Sequence, residues 1–538
     1  MFYGVLAMFF EENKLSMSPA DAAFQRKDWA RAREAYLGQL RLDPKSIRAM
    51  LQLSYVESLD GHYVEAADWA DKCGALFLPG DRTLAIELAR RLRTFNNMPV
   101  LRKVANQLLS AAEDPVALAE CARQLGGAND FEMAMRCAGS AFALAPADPQ
   151  VCLIYGQLLA HHGDEAGAVG QFDKVLAKHP SLGAAWWMRS RLRRQTQQSN
   201  HIEPLIEVLR SGMLDASSAA SVARALHKEF DDLGNYGAAW KALEIMCRAK
   251  RDLLDYDKED GRRLVDALID MPIHARSAAP KLCSTPIFIV GMHRSGTTLL
   301  EQLLDASPNV RALGELNDLP VALRYASNHY SKDAVDLVQV RRLSVSGAAQ
   351  LEALGRRYHQ GLAWRLDGQS HFTDKLPSNY LNVGFILRAL PDAKVLHLSR
   401  DPRETCFSNL RELFSDVNPF SYDQGELAAH FIQYDRLMRY WHQAFPGAIL
   451  DVDYAALLSD PAGTMRAVSK FCDLPYVEGM AKTTSSSRVI ATASSVQVRE
   501  GIQIRSAPKW LPYAEQLAPL IAELRGAGLL ARYESADA

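Results

Sequence analysis

Small and apolar residues recur along the first half of the chain with a long, constant period. A polar–aromatic–x–x–Ala pattern appears as Asp28-Trp29-Ala30-Arg31-Ala32, His62-Tyr63-Val64-Glu65-Ala66 and Asp130-Phe131-Glu132-Met133-Ala134. Trp29 and Tyr63 lie one period apart, and Tyr63 and Phe131 lie two periods apart. Asp164-Glu165-Ala166-Gly167-Ala168 keeps the register with Glu165 in the aromatic place. Pro44, Pro79, Pro115, Pro146 and Pro180 mark the same period four times over. Self-similarity at this spacing predicts stacked helix–turn–helix units, with small residues where helices cross and proline closing each unit. The unit around Asn97-Met98 is degenerate but in register. Gly234-Asn235-Tyr236-Gly237-Ala238-Ala239 falls off the strict period and is expected to join the array to the rest of the chain.

The pattern changes after residue 286. Ile287-Phe288-Ile289-Val290 is a short apolar, β-branched run, as expected of a buried strand in a parallel sheet. Gly291-Met292-His293-Arg294-Ser295-Gly296-Thr297-Thr298 then turns into the apolar helix Leu299–Leu304. A turn of this kind aims backbone N–H groups and a helix N-terminus at an anion. The Gly291-x4-Gly296 frame has P-loop spacing, but Thr297 stands where the phosphate lysine belongs. That lysine reaches β- and γ-phosphates, so the loop suits a compact anion beside Arg294 rather than a nucleoside triphosphate. An ordinary strand–turn–helix corner shares these first residues; a second anion site argues against it. Lys394-Val395-Leu396-His397-Leu398 predicts another strand, followed by Ser399-Arg400-Asp401-Pro402-Arg403 and then Ser408. One forked guanidinium and one hydroxyl suit a phosphate dianion.

The first loop resembles the 5′-phosphosulfate-binding loop of sulfotransferases, and Arg400 with Ser408 resembles their 3′-phosphate signature. The donor implied is 3′-phosphoadenosine 5′-phosphosulfate (PAPS). Within that family the chain resembles the tyrosylprotein sulfotransferases and their bacterial relatives. Gly314-Glu315 matches the segment carrying that group's general base, and Thr373-Asp374-Lys375-Leu376-Pro377 matches the one whose lysine stabilises the sulfuryl group. Ala493-Ser494-Ser495-Val496-Gln497 resembles a serine segment over the donor, with Lys509 on the 3′-phosphate side. The resemblance covers roughly Pro286 to Tyr513. It departs at Glu412, which stands beside Arg411 where the family has a further arginine.

By this resemblance Glu315, Lys375, Ser494 and Arg294 are catalytic. Arg294, Ser295, Gly296, Thr297, Thr298, Arg400, Ser408 and Lys509 hold the donor. A partly buried Glu315 is expected to have the raised pKa that a base at neutral pH needs. Lysine and arginine would do the work of Mg2+, and no CxxC or HExxH set suggests a metal. A protein tyrosine is the acceptor the resemblance implies, with a glycan or small molecule as alternatives. Two rival readings remain: a nucleotide kinase with a degenerate P-loop, opposed by Thr297, and a repeat scaffold with an inactive transferase, opposed by Glu315 and Lys375.

The period of the first half, about 34 residues, is the tetratricopeptide-repeat length, so the expected architecture is multidomain. An all-α tetratricopeptide solenoid over residues 18–270 leads through a proline-bearing linker, 271–285, to an α/β P-loop-like sulfotransferase domain with a parallel sheet, 286–538. The concave face of such an array suits a peptide acceptor, although the repeats could equally brace the transferase or mediate a homodimer. Trp186-Trp187 is expected in helix core, or else on a binding surface. At 538 residues and 48% hydrophobic, the chain has length for more than one core. A net charge of −2 gives no reason to expect nucleic acid. Eight scattered cysteines suit a reducing cytoplasm. Met1–Phe10 is too short and unflanked to span or target a membrane, and the segment ahead of Met17 could be an extension.

Overall fold

A computed structural model describes residues 18–273, 284–482 and 507–534. The periodic half is a stack of antiparallel helical hairpins. Helices Trp29–Leu42, Tyr63–Leu76, Met98–Ala111, Phe131–Leu144 and Glu165–Lys178 each begin at the aromatic position of the repeat motif or its equivalent. The polar residue before that position is the N-cap. Asp28, Asn97 and Asp164 accept hydrogen bonds from the N–H groups of Arg31, Val100 and Gly167, which would otherwise have no helical partner. The motif alanines Ala32, Ala66, Ala134 and Ala168 are fully buried, letting backbones approach closely where the hairpins cross. The marker prolines fall between hairpins or, for Pro115, at the first position of a helix, where a missing N–H costs nothing.

The second half is built on five parallel strands: β1 (Thr285–Val290), β2 (Val310–Ala312), β3 (His371–Asp374), β4 (Lys394–Ser399) and β5 (Ile449–Asp453). Their order across the sheet is β2-β3-β1-β4-β5. Both sequence-predicted strands are present, and β1 and β4 are neighbours in register from Ile287↔Lys394 to Val290↔His397. The two segments expected to bind anions, each following one of these strands, therefore emerge side by side at the carboxyl edge of the sheet.

The apolar cores do not divide where the prolines do. One cluster holds the first hairpins, from Ala20 to Leu158, with Tyr325, Tyr330 and Trp364 of the second half against it. Another joins Phe288, Phe385 and Trp441 to Ala239, Leu243, Met246, Val265, Leu268 and Met271. The off-period hairpin, helices Ala216–Asp232 and Tyr236–Arg251, is thus the joint that the sequence suggested, and it lies within the core of the sheet domain. Lys250 pairs with Asp416 at 2.7 Å and Arg251 with Glu426 at 2.8 Å on the same side. Most of the expected linker, like the N-terminal extension, lies outside the described residues. Among the described residues no helix is long and apolar enough to cross a membrane.

Candidate active site

Strand β1 ends in the turn Gly291–Gly296, and the helix Thr297–Asp305 starts there, two positions earlier than the apolar pattern suggested. Gly296 has φ +111°, and a Cβ on it would run into the Tyr454 ring. Only glycine fits both that backbone and that contact. No side chain caps the helix; the Leu299 N–H turns back to the Gly296 carbonyl at 2.9 Å, and those of Thr297 and Thr298 are left for another acceptor. Ser295, in the turn just ahead of the helix, has a buried hydroxyl with no hydrogen-bond partner. Thr297 and Thr298 are buried on the first turn. An orphaned hydroxyl at an uncapped helix N-terminus fits a bound oxyanion.

Arg294 lies in the turn itself with φ +68°, and its Nε donates to Ser408 Oγ at 3.2 Å. Arg400 donates to the Arg294 carbonyl at 3.3 Å and to Glu404 Oε2 at 2.9 Å, with its guanidinium over the Tyr454 ring. The Lys509 backbone N–H donates to the other oxygen of Glu404. Arg294, Arg400, Ser408 and Lys509 are thereby linked around one rim, although the resemblance assigned Arg294 to the 5′ group and the other three to a 3′-phosphate. A cavity of about 560 Å³ opens beside it, lined by Ser295, Arg400, Thr405, Tyr434 and His442.

Glu315 and Lys375 meet at the next strand end. Lys375 Nζ donates to Glu315 Oε1 at 2.7 Å; the lysine side chain is fully buried while Glu315 is 47% exposed. The loop carrying Glu315 is held from three directions. Glu301 accepts from the Gly314 N–H at 2.8 Å, and the Lys375 N–H reaches the Gly314 carbonyl at 3.0 Å. From the repeat array, Asn129 Nδ2 donates to the carbonyls of Leu313, 3.0 Å, and Glu315, 2.8 Å. Gly314, at φ +75°, has no Cβ to crowd that amide.

The expected raised pKa of Glu315 is overturned. Desolvation does push its carboxyl up, but the Lys375 ammonium, reinforced by His293 and Arg294, outweighs it and holds the group below the usual carboxylate range. The expectation considered burial alone; a buried lysine at contact distance was not legible in the sequence. The imidazole of His293, which no sequence motif singles out, is depressed to about 4 by burial, with Lys375 and Arg294 adding to the effect against Glu315. It is neutral at neutral pH.

Of the histidines that could replace Glu315 as base, His371 starts β3 at the opposite edge of the sheet, in register with Thr285. His397 bonds through Nδ1 to Asp451 at 2.6 Å and through Nε2 to the Tyr434 hydroxyl. His397, His442 and Asp451 also bring three ligand atoms within 4.8 Å of one another, a grouping that no local sequence motif announced. Asp451 Oδ1 already accepts from both imidazoles. Ser494 lies outside the described residues.

Apart from Asn129 and Lys509, this constellation falls within residues 286–478, which match the family model described as Sulfotransferase family. The chain carries a sulfotransferase domain. An uncharacterized protein of Aquifex aeolicus (strain VF5) is 30% identical over 338 residues, 60% of this chain and 43% of that protein. A protein-tyrosine sulfotransferase of Drosophila melanogaster is 24% identical over 285 residues, 51% of this chain and 53% of that protein. The chain thus spans about half the length of these relatives. Among solved structures, the sulfotransferase domain from the curacin biosynthetic pathway is 15% identical, with 44% of this chain and 99% of that chain covered and a TM-score of 0.28, too low to carry a geometric argument.

Proposed function

We propose that the sulfotransferase domain moves a sulfuryl group from PAPS to a hydroxyl acceptor, with Glu315 as the base and a protein tyrosine as the acceptor that the relatives favour. The observation that carries this is the Glu315–Lys375 contact at the carboxyl edge of a sheet whose neighbouring turn offers an uncapped helix N-terminus and the unpartnered Ser295 hydroxyl. In the reaction the acceptor oxygen forms a bond to sulfur and the bond between sulfur and the 5′-phosphate oxygen breaks. The electron pair leaves on that phosphate, and the acceptor proton goes to Glu315. A loose transition state puts charge on the equatorial and leaving oxygens, so positioned cations dominate the catalysis. Lys375 and Arg294 are the cations for it. Arg400, Ser408 and Lys509 hold the 3′-phosphate, and Ser494 is a further donor by resemblance.

The depressed pKa of Glu315 fits this role once the lysine is considered. When Lys375 turns its charge toward sulfuryl oxygens, its hold on the carboxylate weakens and Glu315 becomes the stronger base. The base is silenced by the same group that the donor recruits.

Calorimetry with 3′-phosphoadenosine 5′-phosphate and with Mg-ATP tests the donor class. The bisphosphate should bind without Mg2+ and more tightly than ATP, which offers no 3′-phosphate to Arg400 and Ser408. Equal or tighter Mg-ATP binding would return the site to the kinase reading. Labelled PAPS against peptide, glycan and small hydroxyl acceptors then identifies what receives the group.

A further inference from the structure

The last hairpin of the array touches residues that neighbour the proposed donor rim. Helix Ala216–Asp232 turns Arg224, His227 and Asp231, spaced for one face, toward the sulfotransferase domain. Asp231 accepts from the Tyr513 hydroxyl at 2.5 Å and from Arg411 Nη1 at 3.5 Å. Arg411 is the C-cap of helix Pro402–Leu410, the helix that carries Ser408. Beside Arg411 lies Glu412, 6% exposed, at the position where the family resemblance led to an arginine.

Arg224 is also 6% exposed, and its Nε has no acceptor. Its guanidinium lies 4.2 Å over the ring of Trp187, which the neighbouring hairpin supplies and which Arg191 approaches as well. Burial is the largest influence on the Glu412 carboxyl and raises it, yet Arg294, Arg224, Arg191 and Arg411 together hold it below the ordinary range. Burial lowers Arg224 to about 10 against the attraction of Glu412, with Arg411, Arg191 and Arg294 opposing its charge. Guanidinium charges from both halves of the molecule thus act on one buried carboxylate. A buried N–H without an acceptor is costly, and a fork held flat on an indole is already oriented for a planar, two-oxygen contact.

We infer that Arg224, presented by the repeat array, is a binding residue for the 3′-phosphate of the donor, acting with Arg400 and Ser408, with Glu412 as the counter-ion that the phosphate displaces. This rests on the proposed donor. It makes the array part of the nucleotide site, whatever its concave face does with an acceptor.

The test uses the full chain and two probes, 3′-phosphoadenosine 5′-phosphate and adenosine 5′-phosphate, which lacks the 3′ group. Arg224→Gln should weaken the first about 10- to 100-fold, the loss expected for one charge-assisted hydrogen bond, and leave the second within about twofold. If Arg224→Gln instead weakens both nucleotides by the same factor, the arginine serves the 5′ position and the inference fails. Unchanged discrimination in a folded Arg224→Gln protein also overturns it. Should that variant fail to fold, Glu412→Gln decides: the bisphosphate should bind severalfold tighter relative to adenosine 5′-phosphate, and an unchanged ratio overturns the inference. If the wild-type chain binds no bisphosphate at all, the sulfotransferase donor assignment itself fails, an outcome distinct from the others.

Discussion

Glu315 stands 2.7 Å from a lysine that has no solvent of its own. An ammonium buried without a partner is costly, so the pair stays closed until another anion replaces the carboxylate. Glu315→Ala should therefore cost about 10²–10⁴-fold in turnover, the usual effect of losing a general base, with little change in affinity for 3′-phosphoadenosine 5′-phosphate. Single-turnover rates beside calorimetry separate the two effects; a variant that keeps its rate on every acceptor would place the base elsewhere. The depressed carboxyl also fixes a pH dependence. Glu315 is ionised in the free protein throughout the neutral range, so the acid limb of kcat/KM assigned to it should lie below the ordinary glutamate value of about 4.3. A limb near pH 6 that disappears in Glu315→Gln would contradict the pairing. At this scale the sequence showed which residue types gather at the site, because each sits in its own short motif. It did not show their electrostatic state, since 60 residues separate Glu315 from Lys375 and only the sheet brings them together.

Turns between elements have duties here that no motif advertises. Asn129, at φ +61°, lies in the turn of a hairpin and lends its amide to the loop bearing Glu315. Two nearby contacts join the same surfaces: Arg365 Nη2 to the Ala128 carbonyl at 2.6 Å, and the Val64 N–H to Asn328 Oδ1 at 2.8 Å. Asn129→Ala should lower kcat by about tenfold through displacement of the base, and leave bisphosphate affinity unchanged. A purely structural role would instead lower the melting temperature and spare kcat in the surviving protein. The hairpins themselves were legible because caps, aromatic starts and crossing alanines are local and return in most repeats. Asn129 was not, since its partners lie 184 and 186 residues away. Trp186 went to the core, as expected of a helix, with its Nε1 donating to the Pro180 carbonyl at 2.8 Å.

Across the whole molecule, a division at residue 281 would cut away part of the core on which the sheet rests. A fragment beginning at Lys281 loses Ala239, Leu243, Met246, Val265, Leu268 and Met271 from the face shared with Trp441. It should show no cooperative thermal transition, whereas a sharp one close to that of the full chain would show the sheet domain to be self-sufficient. Acid should also weaken the intact protein early. Unfolded histidines take up protons near pH 6.5, but burial delays His293 to about 4 and His430 to about 3. The unfolded state then binds more protons, so stability falls as pH drops from 6.5 toward 4, by up to about 1.4 kcal/mol per pH unit for each group. The depressed Glu315, Glu412 and Asp451 extend the loss below pH 4.5. Urea midpoints that stay flat between pH 7 and 4.5 would contradict these burials. The shared core has one more consequence, in time rather than space. Trp441 leaves the ribosome well after Leu268, roughly 10–35 s later at ordinary synthesis rates. For that interval a finished row of early hairpins ends in an apolar face whose cover has not been made, and each newborn chain carries a temporary need for shelter that the completed protein no longer has.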